Sequence, residues 1–257
     1  MLLALDVGNS NITAGVFAGR DLLATWRHET SSPSRVICRD LAVELRRRRL
    51  KITACVYGSV VPRLDAVFKR AIQSSLRCPF VAVTPSSRLG MKLLVSKPAQ
   101  VGADRILNAL AAYELTRGPA VVLDFGTATT FDCVSVSGDY LGGAIMLGPR
   151  LAAEALHDRT AKLPLVPVKR PRRAIGKDTL ECIQAGLYYG YLGMISGMLA
   201  RTIAEMRFQG GRSPRLLATG GLAFLFARDL PKNMRIERDL TLQGLRIAHG
   251  RLTGDKA

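Results

Sequence analysis

The sequence has few cysteines and no pattern that would give them a structural role. The five cysteines are an odd number, include no Cys-x-x-Cys pair and have no histidine at metal-ligand spacing, so neither a disulfide framework nor a zinc site is indicated. The apolar run at the amino terminus lacks a basic start and ends at Asp6, which is too short for a signal peptide. We therefore expect reduced thiols and a cytoplasmic protein.

Acidic residues are scarce, since 20 Asp and Glu oppose 37 Lys and Arg and leave a net charge of +17. Such an excess is typical of proteins that bind polyanions. However, cations collect in two runs, Arg46–Arg49 and Lys169–Arg173, and no aromatic residues alternate with them. We interpret the first run as the solvated end of a helix and the second as a solvated loop, and we expect no nucleic-acid partner.

One stretch, Cys182–Ala200, lacks charged residues over 19 positions, which is close to the length of a membrane-spanning helix. It also contains Gln184, Ser196, three tyrosines and four glycines, and charged residues flank it directly. We predict a buried helix whose glycines let another helix approach closely, including across a subunit interface, and no membrane span.

One pattern occurs twice along the chain. A buried strand ends in Asp-x-Gly and is followed by a turn and two further strands, first at Asp6 and again at Asp124. The copies lie about 118 residues apart, which indicates an internal duplication. We predict an α/β protein of two actin-like lobes, residues 1–117 and 118–257, each with a mixed sheet flanked by helices, and a cleft between them. Helices are predicted over residues 63–75, 104–116, 149–161 and 178–207, with residues 84–100 irregular.

The Asp-x-Gly turns suit phosphate chemistry. A carboxylate at the end of a buried strand, followed by a glycine that lets backbone N–H groups approach, is what binding a phosphate or its metal requires. The second copy adds three threonine hydroxyls, and a Thr219-Gly220-Gly221 turn follows later. Two such hairpins and a glycine turn that admits adenosine are the plan of the actin, sugar kinase and heat-shock chaperone superfamily. The common nucleotide loops, GxGxxG and GxxxxGK[ST], are absent.

A second candidate site opens the helix predicted from residue 104. Gly102-Ala103-Asp104-Arg105 places an acceptor for a hydroxyl proton beside a guanidinium that can hold an anion. A carboxylate in the first turn of a helix is also favoured by the helix dipole alone. The residue types therefore allow acid–base chemistry here without requiring it.

Nine short segments resemble one enzyme family in their order and spacing: DVGNSN, GSVVP, VGADRILNA, DFGTATTFD, GGAI, RTAKLP, IGKDT, ATGGLA and LTLQGLR. Together they resemble type III pantothenate kinases, from Leu2 nearly to the carboxyl end. The resemblance implies a homodimeric kinase that phosphorylates pantothenate with ATP, in the first step towards coenzyme A. It also implies a need for Mg²⁺ and for a monovalent cation, K⁺ or NH₄⁺.

The same resemblance assigns roles to individual residues. Asp104 is the implied catalytic base, and Asp124 is the implied ligand of the monovalent cation. Pantothenate is implied to contact Gly102, Ala103, Asp104, Arg105 and Thr179. ATP is implied to contact Asp6, Val7, Gly8, Asn9, Ser10, Asn11, Ile12, Thr13 and Thr127.

The chain departs from the family pattern at two positions. Val95 stands where a tyrosine near the substrate is common, and Leu147 stands where a proline is usual. Because Val95 removes a polar contact, a second hypothesis stays open, in which the chain keeps the fold and nucleotide binding but acts as an accessory regulatory factor. A third hypothesis, a nucleic-acid binder, depends on the +17 net charge alone.

Overall fold

The computed structural model describes residues 1–208 and 212–254, which form two compact units. Unit 1 consists of Met1–Glu114 and the segment from Asp239 onward, and unit 2 consists of Leu115–Arg238. The strands are β1 (Leu2–Val7), β2 (Asn11–Ala18), β3 (Asp21–Glu29), β4 (Ala54–Ser59), β5 (Phe80–Val83), β6 (Ala120–Phe125), β7 (Ala128–Val134), β8 (Tyr140–Leu147), β9 (Arg215–Thr219) and β10 (Met234–Ile236). The helices are α1 (Ser34–Arg47), α2 (Pro62–Leu76), α3 (Ala103–Thr116), α4 (Pro149–Asp158), α5 (Thr179–Ala185), α6 (Tyr191–Phe208), α7 (Ala223–Phe226) and α8 (Leu240–Thr253).

The two sheets have the same topology. Unit 1 has the strand order β3-β2-β1-β4-β5, and unit 2 has the order β8-β7-β6-β9-β10. In each unit the first strand pairs antiparallel with the second and parallel with the fourth. The aspartates occupy equivalent places, since Asp6 lies opposite Thr13 and Asp124 lies opposite Thr130. The predicted duplication and α/β fold are confirmed.

The sheet of unit 1 is covered on both faces. One face packs against α1 and α2 through a core that includes Leu5, Tyr57 and Phe68. On the other face, glycines in the strands leave room for side chains of the helices that pack there. A Cβ on Gly58 would lie 2.7 Å from Leu107 Cδ1 in α3. These close approaches place the start of α3 near the carboxyl end of β4.

The core of unit 2 contains a stack of aromatic rings around Phe226. Its ring centroid lies 5.4 Å from that of Phe125, 5.0 Å from that of Tyr188 and 5.3 Å from that of Tyr191. The two tyrosines come from the helix predicted over residues 178–207. That helix forms as α5 and α6, joined by a π-helical turn at Gly186–Gly190. No helix in the described residues is long and apolar enough to cross a membrane.

The carboxyl-terminal segment differs from the predicted lobe of residues 118–257. It forms α8, which belongs to unit 1 because its side chains fill the space left by glycines in that sheet. Leu242 Cδ1 lies 2.9 Å from the position of a Cβ on Gly15. Thr241 also donates a 2.8 Å hydrogen bond to Asn108 of α3. The sequence shows an apolar pattern here but not which sheet it covers.

Candidate active site

The turn between β1 and β2 carries the first Asp-x-Gly motif. The Gly8 N–H donates to the Asn11 carbonyl at 2.9 Å, and this bond closes the turn. A Cβ on Gly8 would lie 3.1 Å from the same carbonyl oxygen, closer than ordinary contact. Asn9 and Ser10 are exposed at the tip, and Asp6 is partly buried at the end of β1. The motif thus presents a short exposed turn beside a carboxylate, as phosphate binding requires.

Thr30 holds this turn from the end of β3. Its hydroxyl donates a 2.7 Å hydrogen bond to the Gly8 carbonyl, and its N–H donates to the Ser10 carbonyl at 3.0 Å. The residue is 5% exposed, so both bonds are shielded from water. Thr30 is not recognisable from the sequence as a site residue, because a threonine in a polar connector belongs to no motif.

Asp104 lies in the first turn of α3. Its Oδ1 accepts a 2.8 Å hydrogen bond from the Arg105 N–H. Burial raises the pKa of Asp104 above its usual value, although the Arg105 amide and guanidinium act in the opposite direction. A Cβ on Gly102 would lie 2.4 Å from the same Oδ1 and 3.2 Å from Val60 Cγ1. Gly102 therefore leaves the space that the carboxylate occupies.

The two predicted sites of unit 1 lie next to each other, where the parallel strands β1 and β4 end. The Val60 N–H, just after β4, donates to the Val7 carbonyl at the end of β1 at 3.0 Å. The side chain of Val60 in turn lies against Gly102. The Asp6–Thr13 hairpin and the Gly102–Arg105 segment are thus neighbours through one residue.

The second Asp-x-Gly motif lies at the equivalent edge of unit 2. Asp124 is partly buried between two glycine turns. A Cβ on Gly126 would lie 3.7 Å from Asp124 Oδ1, and one on Gly220 would lie 2.4 Å from it. Gly220 also has a φ of +90°, which L side chains rarely adopt. The Thr219-Gly220-Gly221 turn therefore packs directly against the carboxylate of the second motif.

The three threonines of the second motif have different surroundings. Thr127 is exposed at the tip, where its carbonyl accepts a 3.1 Å hydrogen bond from the Gly148 N–H. Thr129 is fully buried and accepts a hydrogen bond from the Tyr191 hydroxyl. Burial raises the pKa of Tyr191 to about 12, so this donor keeps its proton at neutral pH. Thr130 donates to Asp132 at 2.9 Å. Thr127 is the exposed hydroxyl of the motif.

Three further positions singled out in the sequence lie outside the two motifs, although Leu147 pairs with Ala128 of the second motif across β7 and β8. Thr179 is the exposed first residue of α5, capped by Asp178, which accepts a 2.8 Å hydrogen bond from the Glu181 N–H. Val95 lies in the irregular segment before Gly102. Leu147 is 51% exposed at the end of β8.

Both cation runs contain ion pairs. In the first run, Arg47 lies 2.8 Å from Glu44. In the second, Arg170 lies 2.9 Å from Asp229, which also accepts a hydrogen bond from Tyr188. The side chains of both arginines remain about half exposed or more, at 66% and 47%. These contacts agree with the interpretation of both runs as solvated surface.

Within residues 1–208 and 212–254, no group of three or more His, Cys, Asp or Glu side chains is arranged to hold a metal ion. The cysteines are free thiols, and Cys55, Cys78 and Cys133 are buried. Burial raises the pKa of Cys38 and of Cys55, which keeps these thiols protonated.

Comparison with known proteins identifies relatives along the whole chain. The family described as type III pantothenate kinase matches residues 2–201. A type III pantothenate kinase of Moorella thermoacetica is 45% identical over 258 residues, which cover 98% of this chain and 100% of that protein.

Two solved structures share the fold at low sequence identity. One, from Campylobacter jejuni, is described as a "conserved putative Baf family transcriptional activator"; it has a TM-score of 0.58 and 18% identity, with 96% of each chain covered. The other is the (R)-2-hydroxyglutaryl-CoA dehydratase component A of Acidaminococcus fermentans, with a TM-score of 0.56, 12% identity, and 96% of this chain and 95% of that chain covered. At these identities the two structures establish the fold alone.

Proposed function

The chain belongs to the type III pantothenate kinase family, and we propose that it transfers the γ-phosphoryl group of ATP to the 4′-hydroxyl of pantothenate, the first step of coenzyme A synthesis. The match along nearly the whole chain carries this proposal. The duplicated actin-like α/β fold supports it, since it places a phosphate-type hairpin at the same edge of each sheet.

Asp104 is the proposed catalytic base. Phosphoryl transfer passes through a loose transition state, so positioning and charge neutralisation supply most of the rate, and the base mainly orients the attacking hydroxyl. Burial raises the pKa of Asp104, which moves it closer to the operating pH and makes the carboxylate a better proton acceptor. The backbone N–H of Arg105 donates to Oδ1 of this carboxylate and orients it.

The proposed pantothenate site surrounds this base. The small residues Gly102 and Ala103 would let pantothenate approach the backbone closely. The Arg105 guanidinium can pair with the carboxylate of pantothenate. Thr179 is assigned a contact with pantothenate through the family resemblance. Its exposure at the start of α5 leaves its hydroxyl accessible.

The two hairpins are the proposed phosphate-binding elements. The Asp6–Thr13 hairpin would hold phosphate oxygens of ATP, and Thr30 would keep its backbone in one conformation before the nucleotide arrives. Thr127 would contribute its hydroxyl from the second hairpin. The net charge of +17 helps to attract the anionic nucleotide.

The carboxylates at the strand ends fit the two cations that we propose. Mg²⁺ is usually held by one or two carboxylates together with substrate phosphates, and Asp6 is the carboxylate of the first hairpin. When bound, Mg²⁺ neutralises charge on the phosphates. Asp124, enclosed by the Gly126 and Gly220 turns, suits a weakly held monovalent cation, K⁺ or NH₄⁺. If replacing K⁺ by Na⁺ leaves the rate unchanged, this assignment of Asp124 is wrong.

We also propose a homodimer that forms through α5 and α6. Four glycines recur at helical spacing on one exposed face, Gly186 and Gly190 in the π-helical turn between these helices and Gly193 and Gly197 in α6. A Cβ added to any of them would meet nothing within 4 Å. Such a face lets the backbone of a second helix approach closely. Analytical ultracentrifugation should show a dimer that Gly193→Arg converts to monomer, whereas Ala66→Arg, at an exposed position of α2, leaves it intact. A wild-type monomer would contradict this proposal.

The proposed activity is tested with a coupled assay of ADP release with and without pantothenate. We expect release that depends on pantothenate, and a fall of about 10²- to 10⁴-fold in kcat for Asp104→Asn. Asp65→Asn is the matched control, because Asp65 also lies in the first turn of a helix of unit 1, and it should retain wild-type turnover. We expect the enzyme in the cytoplasm, where ATP is present and its thiols stay reduced.

Each alternative has its own result in these measurements. Nucleotide binding without pantothenate-dependent turnover would replace the kinase proposal with an accessory factor. Tight binding of a polyanion with a steep dependence on salt would indicate a nucleic-acid binder. If Asp104→Asn keeps near wild-type turnover, Asp104 is not the catalytic base.

A further inference from the structure

The segment between β5 and α3 leads directly into the proposed pantothenate site. It is irregular apart from a 3₁₀ turn at Pro98–Gln100, and it ends at Gly102. Short-range hydrogen bonds shape its two ends: the Thr84 N–H donates to Ser87 Oγ at 2.9 Å, and the Val101 N–H donates to the Pro98 carbonyl at 3.1 Å. Bonds of this kind form turns within the segment, and Leu93 further along it forms an isolated β-bridge.

A guanidinium from the carboxyl-terminal helix contacts this segment at Leu89. Arg251, in the last turn of α8, donates from Nη1 to the Leu89 carbonyl and from Nη2 to Glu114 Oε1. Leu89 is 3% exposed, so the segment is held at a buried point. The side chains of Arg251 and Glu114 are 28% and 21% exposed, which limits screening of their ion pair by solvent.

These bonds connect the segment before Gly102 to the last turn of α3. From Leu89 the chain runs through Gly102 into α3, whose first turn holds Asp104 and whose last turn holds Glu114. Arg251 then joins Glu114 back to Leu89. Gly90, directly after the anchored carbonyl, has a φ of +66°, and a Cβ there would lie 3.5 Å from Arg251 Nη1. Residues 90–102 are therefore held at both ends, by Arg251 at one and by α3 at the other.

We infer that Arg251 is a positioning residue for the acceptor substrate, because it ties the segment that delivers Gly102 to the helix that carries Asp104. This inference rests on the proposed function. The planar guanidinium directs two N–H groups to two different acceptors at once, which a lysine ammonium does with less directional precision. The hairpin of Asp6–Thr13 is held separately by Thr30, so affinity for pantothenate depends on Arg251 more than affinity for ATP does.

The test separates the two substrates and measures the segment directly. Arg251→Met should raise KM for pantothenate about tenfold or more and leave KM for ATP within about twofold, because a displaced segment misplaces the acceptor. Hydrogen exchange should become faster at amides of residues 90–102. Arg251→Lys should recover part of the loss. The matched control is Arg70→Met on α2 of the same unit, whose Nε donates to the Ala66 carbonyl at 3.3 Å, and it should change neither KM nor exchange in the segment.

Three results would overturn the inference. One is unchanged KM for pantothenate and unchanged exchange in Arg251→Met. Another is an equal rise in both KM values with a lowered Tm, which would indicate a general loss of stability. The third is the same change in Arg70→Met. If the wild-type protein does not phosphorylate pantothenate, the proposed function fails by itself, and exchange at residues 90–102 still decides whether Arg251 holds the segment.

Discussion

Replacing Gly102 by alanine should slow the reaction while leaving the fold intact. The added Cβ would lie 2.4 Å from Asp104 Oδ1, whereas ordinary contact begins at 3.4 Å. The carboxylate must therefore move by about 1 Å, a displacement that costs about 10²-fold in rate when a reacting group is involved. This factor corresponds to about 2.7 kcal/mol in the activation free energy.

The stability of the Gly102→Ala variant should change little. The backbone of Gly102 lies outside the left-handed region, so alanine can adopt it. Alanine at such a position stabilises by about 0.4–1 kcal/mol through the unfolded state, which offsets part of the steric strain. Loss of activity without loss of Tm would thus report on the position of the carboxylate and not on unfolding.

The measurement is the initial rate of pantothenate-dependent ADP release, together with a thermal unfolding curve. Asp104→Asn sets the lowest expected rate. Gly118→Ala is the control, because a Cβ there would lie 3.8 Å from the nearest neighbouring atom, the Thr116 carbonyl oxygen. A Gly102→Ala enzyme with kcat within about twofold of wild type would refute the argument that the exact position of this carboxylate controls the rate.

Three further changes have calculable directions. Thr30→Val removes the hydroxyl that donates to the partly buried Gly8 carbonyl, so urea unfolding should show a loss of about 1–3 kcal/mol in the free energy of unfolding, and KM for ATP should rise. Burial raises the pKa of the Asp104 carboxyl in the folded state, so the folded protein binds this proton more tightly than the unfolded chain does. The wild-type free energy of unfolding therefore falls as pH rises from the unfolded pKa through the folded pKa. Asp104→Asn should lack that fall, and its stability at pH 7 should equal or exceed that of the wild type. Gly244→Ala would press a Cβ onto the Leu107 backbone of α3, so the free energy of unfolding should drop by about 1–3 kcal/mol or more.

Much of the fold follows from local patterns in the chain. Apolar runs ended by Asp-x-Gly mark β1 and β6, and their repetition indicates two sheets of equal topology, because strand periodicity and glycine turns depend on neighbouring residues. The irregular stretch predicted over residues 84–100 directly follows β5, which ends at Val83. The helix predicted over residues 149–161 ends earlier, at Asp158, since helix ends are set weakly by local sequence.

The same limit applies to the candidate site. The residue types at Asp6, Asp104 and Asp124 already indicate carboxylates beside glycine or a helix start, and the structure places each of them at the end of a strand or at the start of a helix. Thr30 was not predicted, because its role depends on where the end of β3 lies relative to a turn that is distant in the chain. β10 was not predicted either, because three residues form too short a pattern to recognise.

The sequence by itself determined the duplicated α/β plan, the two Asp-x-Gly turns and the family. Only the tertiary structure decided that α8 returns to unit 1 and that Arg251 reaches Leu89, which lies 162 positions earlier. The physical reason is the range of the interactions. Turns and strand periods arise between residues a few positions apart, whereas the fit of Leu242 against Gly15 and the bonds of Arg251 exist only once distant parts of the chain pack together.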